Sequence, residues 1–207
     1  MKKNIRKLLK RLEKENKIKL LTKGQEANTY SIHYSCNGFY DGGAVAPTMC
    51  CIALTNLKSG ELHTFALQNY IVEGKCLIDA EKQLLTDFTN FYNSLKNPIL
   101  VNWRMDSSEF GFKVINARCE NFGIYNLSFL NAKSLNLSDY FHIAFGKILK
   151  ITDCDSPYLL SGRDESDYFD MRNYNAVKLS TEAKSIGLNN LLKMIIKDKV
   201  DFDLLED

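Results

Sequence analysis

Asn102, Trp103, Arg104 and Asp106 crowd four kinds of chemistry into the stretch NPILVNWRMDSSEFGF, residues 97–112. Ile99-Leu100-Val101 reads as a buried strand that begins just after Pro98 closes a helix. A helix is predicted from about Ser108 to Asn121, with Ser107 or Ser108 at its cap and Glu109 in its first turn. In an open α/β sheet, ligands bind beyond the carboxyl ends of the strands. Asp106 therefore has two readings: a carboxylate acting at a catalytic strand end, or a cap on the following helix. Arg104 suits either a phosphate or a pair with Asp106. Trp103, the only tryptophan, suits core packing or stacking on a base.

A second polar cluster opens RNYNAVKLST, residues 172–181, with Arg172, Asn173, Tyr174, Lys178 and Ser180 or Thr181. A helix N-terminus beside an arginine suits an anion, and it equally describes the start of a surface helix. Should this helix pack beside the strand ending at Asn102, the two clusters would form one cationic, amide-rich pocket. Such a pocket fits a phosphate or nucleotide better than a pair of metal ions.

Other groups offer less. Asp153 and Asp155 are two residues apart, and Asp164, Glu165, Asp167 and Asp170 follow in an acid-rich stretch that reads as solvated loop. Asp41 sits in a Gly-rich loop without phosphate-cradle spacing. His33, His63 and His142 fall on separate elements and assemble no triad or metal site. The six cysteines are scattered without a CxxC pair, which fits a reducing, cytoplasmic setting and buried thiols such as Cys50-Cys51.

The positioning elements follow from the whole chain. Its 207 residues, 45% hydrophobic and 25% charged, suit one globular domain. No apolar run is long enough for a membrane helix, and no secretory signal segment is expected. The net charge of +2 is uneven. Residues 1–23 hold ten Lys/Arg and two Glu, a net +8, which leaves −6 on the other 184. Residues 1–24 read as a basic amphipathic helix, with Ile5, Leu8, Leu9 and Leu12 on one stripe and Gly24 at its end. That stripe is expected to pack on the body or on a second subunit, or the basic face to meet nucleic acid. The acidic end DKVDFDLLED is a candidate internal partner.

Strands are predicted at 29–36 (TYSIHYSC), 49–57 (MCCIALTNL) and 62–67, the last two as a hairpin. A helix follows at 79–95, with Leu84, Leu85, Phe88, Phe91, Tyr92 and Leu95 on one stripe, then the strand at 99–101. Residues 135–146 read as a helix capped by Ser138, 147–170 as an irregular acidic insertion, and 172–199 as one helix or two around Gly187. The expected fold is α/β: a single domain over 25–207, with a mixed sheet and helices on its faces. Residues 49–57 should form an inner strand paired with 61–67 and with 98–102.

This order resembles the ribonuclease H-like fold, and within it the 3′–5′ exonucleases that hold metal with four acids. The resemblance covers roughly residues 48–197. GELHTFAL resembles the family's second strand. In the segment from Glu81 to Gly123, a strand ending in an Asn and an acid precedes a helix with a late Arg; Asn102, Asp106 and Arg118 are the matching positions. The resemblance implies Mg²⁺ or Mn²⁺ as cofactor. MCCIALTNL, however, lacks the paired acids of the family's first strand, and the last helix offers Tyr174 and Glu182 in place of its metal-binding Asp. The expectation is a nucleic-acid- or nucleotide-binding module with a lost or rebuilt metal site. The alternative is a non-catalytic interaction or regulatory subunit that docks a protein partner or self-associates through residues 1–23.

Overall fold

The computed structural model describes residues 2–71, 75–125, 127, 133–145 and 159–197, without the side chains of 2–8 and 143–145. Among these residues, five strands form one mixed sheet: β1 (Thr29–Cys36), β2 (Met49–Asn56), β3 (Leu62–Ala66), β4 (Ile99–Asn102) and β5 (Lys133–Asn136). Their spatial order is β3-β2-β1-β4-β5. β2 pairs antiparallel with both β1 and β3, whereas β1, β4 and β5 are parallel. Only β2 runs against the rest. It is an inner strand paired with β3, as expected, but its other neighbour is β1. The expected pairing of 49–57 with 98–102 is replaced by β1 beside β4. Local apolar patterns carry no information about which of two buried strands lies between the others.

Alternation along β1 sends Tyr30, Ile32 and Tyr34 to one face of the sheet and Ser31, His33 and Ser35 to the other. The apolar side packs with Ile52 and Leu54 of β2 against α3 (Leu77–Ser94) and α4 (Phe112–Asn121). Leu84, Leu85 and Phe88 are fully buried there, as the 3.6-residue stripe requires. A second cluster lies over β4 and β5. It joins Ile99, Val101, Trp103 and Leu135 to α1 (Lys2–Thr22), α5 (Leu137–Phe145) and the late turns of α7 (Tyr174–Ile196). A four-residue helix, α2 (Leu67–Tyr70), follows β3, and α6 (Gly162–Asp170) precedes α7.

Between the clusters, the polar side of β1 meets α7 through hydroxyls. Ser31 Oγ donates to Ser185 O at 2.7 Å, and Ser185 Oγ lies 2.8 Å from Thr55 Oγ1. Ser35 Oγ lies 2.6 Å from Thr181 Oγ1. Each buried polar atom named here is satisfied by another, so a helix with a polar face packs on a sheet with a polar stripe.

Three expectations change. α4 begins at Phe112, with Gly111 at its N-cap, so neither Ser107, Ser108 nor Asp106 caps it. The chain folds back first: Asp106 bridges Gly111, and Phe112 N donates to Met105 O at 3.0 Å. Leu135 and Asn136, read as the start of a helix, instead end β5, Lys133–Asn136, because β4 offers a free edge that four residues can cover. Residues 162–170 are helical, started by a capping box between Ser161 and Asp164. Of the two alternatives for 172–199, the single helix holds: α7 continues through Gly187.

Of the stripe predicted for α1, Leu9 and Leu12 turn outward, and the side chains of Ile5 and Leu8 lie outside the described ones. Ile18 and Thr22 are buried and Glu15 Oε2 accepts from Tyr140 Oη at 3.4 Å, whereas Leu9 and Leu12 are exposed. At about 100° per residue, positions 11, 14–15, 18 and 21–22 share the face that grips α5 and α7.

Candidate functional site

Beyond the carboxyl ends of β1, β4 and β5 lies a cleft of about 490 Å³, lined by Phe39, Arg104, Asp106, Ser107, Phe110, Asn136, Ser138 and Asp139. Asn136, at the last position of β5, organises it. Its Oδ1 accepts from Arg104 N (3.0 Å), Ser138 N (3.1 Å) and Ser138 Oγ (2.8 Å). Its Nδ2 donates to Asp106 Oδ1 at 3.2 Å and to Asp139 Oδ1 at 3.3 Å. One amide thus holds two carboxylates and a backbone turn from two strand ends. The sequence reading missed Asn136. Its signal was an Asx residue two positions before the serine of a helix start, as in NLSD.

Arg104 takes the left-handed region, with φ 59°, which a non-glycine residue adopts at a cost. The turn leaves its side chain exposed, and its guanidinium has no hydrogen bond or ion pair among the described residues. Two aromatic rings complete the cleft. Phe39 is 78% exposed. Phe110 stacks on Tyr34 at 4.4 Å, and the Tyr34 hydroxyl accepts the Gly111 N–H at 2.9 Å. Burial raises the Tyr34 hydroxyl pKa far above its ordinary value, so it stays a neutral anchor. A neighbouring hollow of about 430 Å³ continues past Phe39 to Ser108 and Lys113.

Asn102 stands behind this surface. It is fully buried, donating to Ser134 Oγ at 2.7 Å and accepting from Met105 N at 3.1 Å, so it builds the turn. Trp103 is buried against Phe141, at 5.7 Å between ring centroids. Arg118 lies elsewhere: it binds the buried Glu81 through Nε at 2.7 Å and the carbonyl of Ala46 at 2.9 Å. Arg172, Asn173 and Tyr174 form the α6–α7 turn and do not line the cleft. Asn173 caps α7 by accepting from Ala176 N at 3.2 Å, and Tyr174 packs on Phe169. The two polar clusters are therefore separate places.

The remaining carboxylates are occupied or distant. Asp41 accepts the Gly43 N–H within its own turn. The Asp164 carboxylate completes the capping box of α6 by accepting from Ser161 N and Oγ, and these hydrogen bonds lower its pKa below the ordinary value. Glu165 accepts from Lys184 Nζ and Ser180 Oγ, each at 2.7 Å. Asp153 and Asp155 lie outside the described residues. Among the described residues, no three His, Cys, Asp or Glu side chains gather in a way that could hold a metal ion. Asp106 and Asp139 are the cleft's only acids among them. Two-metal phosphoryl chemistry needs a richer carboxylate set, so this donor set does not fit it.

His33 sits under the cleft, its ring 6.0 Å from Phe110. Burial, with Lys184 adding to it, lowers its pKa well below 6.5, so it is neutral. Burial pushes the Cys36 thiol up to about 12 and Cys119 up to about 11, which removes both as thiolate nucleophiles near neutral pH. Among the described residues, no helix is long and apolar enough to cross a membrane.

No protein-family model matches the chain, and no curated protein matches it in sequence.

Proposed function

We propose that this chain is a ribonuclease H-like module that binds single-stranded nucleic acid or a nucleotide, its exonuclease metal site lost or rebuilt. The observation that carries the reading is the order β3-β2-β1-β4-β5 with β2 alone reversed, with an open cleft at the parallel strands' carboxyl ends. A mixed sheet with helices on its faces and an open cleft at its strand ends supports that reading. On this reading the family's first strand would correspond to β1 in place of 49–57, and the resemblance would begin near Thr29. Where that strand would present acids, β1 offers Ser31, His33 and Ser35, spent on α7 or buried beneath the cleft.

What remains in the cleft suits recognition. Phe39 and Phe110 offer faces on which a base stacks, and Arg104 offers a free guanidinium for a phosphate. Asp106 and Asp139 accept from base or sugar donors and oppose a dense array of phosphates, which favours a short or mononucleotide ligand.

The test is a fluorescence titration with nucleoside monophosphates and short single-stranded oligonucleotides, with and without Mn²⁺. Binding that weakens with salt, drops at least tenfold in Arg104→Ala and Phe39→Ala, and ignores Mn²⁺ is expected. Equal affinity in all three proteins would end the proposal. Mn²⁺-dependent hydrolysis lost in Asp106→Ser would restore the enzyme. The exposed Leu9, Leu12 and Leu20 of α1 favour the second reading, an interaction subunit.

A further inference from the structure

The outward face of α1 has a composition that calls for a particular occupant. Leu9, Leu12 and Leu20 are 60, 42 and 74% exposed, and the helical repeat sets them on one side with Glu13 and Asn16. Beside them a groove of about 310 Å³ is lined by Lys10, Glu13, Lys14 and Lys17. Lys14 reaches Asp139 at 3.9 Å, but Lys10 and Lys17 make no ion pair among the described residues. This face is therefore apolar along its middle and positive along one margin.

We propose that residues 198–207 of the same chain, DKVDFDLLED, cover this face. They lie outside the described residues and carry Asp198, Asp201, Asp203, Glu206 and Asp207 against Lys199, a net −4. Between the acids stand Val200, Phe202, Leu204 and Leu205. Acid and apolar groups thus interleave in the segment, which complements an apolar helix face with a positive margin.

Position supplies the rest. Lys197, the C-cap of α7, immediately precedes the segment, and Leu192 and Ile195 of α7 share an apolar cluster with Ile18 of α1. The last described turns of α7 therefore lie beside the helix that the segment is to cover. Ten extended residues reach ~33 Å, and Ile18 to Leu9 along a helix is only ~14 Å. A tethered ligand also meets its site at an effective concentration no free acidic peptide matches. The segment's place in the chain selects it over a second copy.

The full chain, held dilute, is treated with a carbodiimide that joins amine to carboxylate without a spacer, then digested for mass spectrometry. Cross-links from Lys10 or Lys17 to Asp201, Asp203 or Glu206 are expected within the monomer, and are expected to fade at high salt. The full-length variant Asp201→Lys/Asp203→Lys/Glu206→Lys should lose them and exchange the amides of residues 9–17 at least fivefold faster, with an unchanged melting temperature. Cross-links confined to a dimer fraction would give the face to a second copy and overturn the proposal. Equal exchange in the two proteins, or protection of α1 that appears only with added oligonucleotide, would overturn it as well. None of these readouts depends on whether the cleft binds a nucleotide.

Discussion

Lys184 Nζ lies 2.7 Å from Glu165 Oε1, and both side chains are almost wholly buried, 4% and 5% exposed. The pair ties α6 to α7 beneath the polar side of β1, where Ser180 Oγ donates to the same carboxylate oxygen. The pair's contribution is attachment: α6 carries Ser166, which donates to Asn37 O at 3.2 Å and so steadies the chain leading to Phe39.

Removing one partner leaves the other charge buried and alone. Lys184→Met or Glu165→Leu should each cost about 3–5 kcal/mol in urea unfolding. The double variant should cost clearly less than the two single changes together. Additive losses would show that the two groups do not interact.

His33 makes stability depend on acid. Its folded pKa lies well below 6.5 because burial disfavours the charged ring, with Lys184 adding to that. Between that folded value and 6.5 the unfolded chain binds the extra proton, so stability falls as pH falls from about 6.5. The slope reaches at most about 1.4 kcal/mol per pH unit. Denaturation at pH 7, 6 and 5 should show part of this slope vanishing in His33→Leu; parallel curves for the two proteins would refute it.

Arg104 and Arg118 should separate binding from stability. Arg104→Gly relieves a left-handed φ of 59° and should leave stability unchanged or raised by up to about 1 kcal/mol, while nucleotide affinity falls. Arg118→Leu strands the buried Glu81, which also accepts from Met49 N at 2.6 Å, and should cost about 3–5 kcal/mol. Its affinity, measured where the protein is still folded, should be unchanged. Thermal melts paired with titrations check both.

Gly111 is required by space. A Cβ there would overlap the Met105 carbonyl and come within 2.8 Å of Ser107 O, both of them backbone. Gly111→Ala should therefore cost about 3 kcal/mol or more and disturb the 105–112 fold-back that shapes the cleft. Asp106→Ser, by contrast, should shift the melting curve little, because Asp106 is exposed and caps no helix. A large loss of stability in Asp106→Ser would show that its bond to Asn136 is structural.

The sequence by itself determined the elements whose signal is local. The runs at 29–36 and 49–56 are long, β-branched or apolar, and bounded by turn residues, so their backbone state follows from near neighbours. The stripe of Leu84, Leu85, Phe88 and Tyr92 does the same for α3. That Arg104 and Asp106 stand past a strand end was equally legible, because Pro98 and Asn102 bracket the three apolar residues Ile99, Leu100 and Val101. Tertiary structure decided the rest. β5 has four residues, too few for a period, and exists because β4 presents an edge. β1 lies between β2 and β4 because chain crossovers, not patterns, order a sheet. Arg118 found Glu81 37 positions away, and Asn136 reached Asp106 across 30. Bonds of that span depend on geometry that appears only when the helices have packed. The cleft was thus visible from the sequence as a place, and its membership was set by the fold.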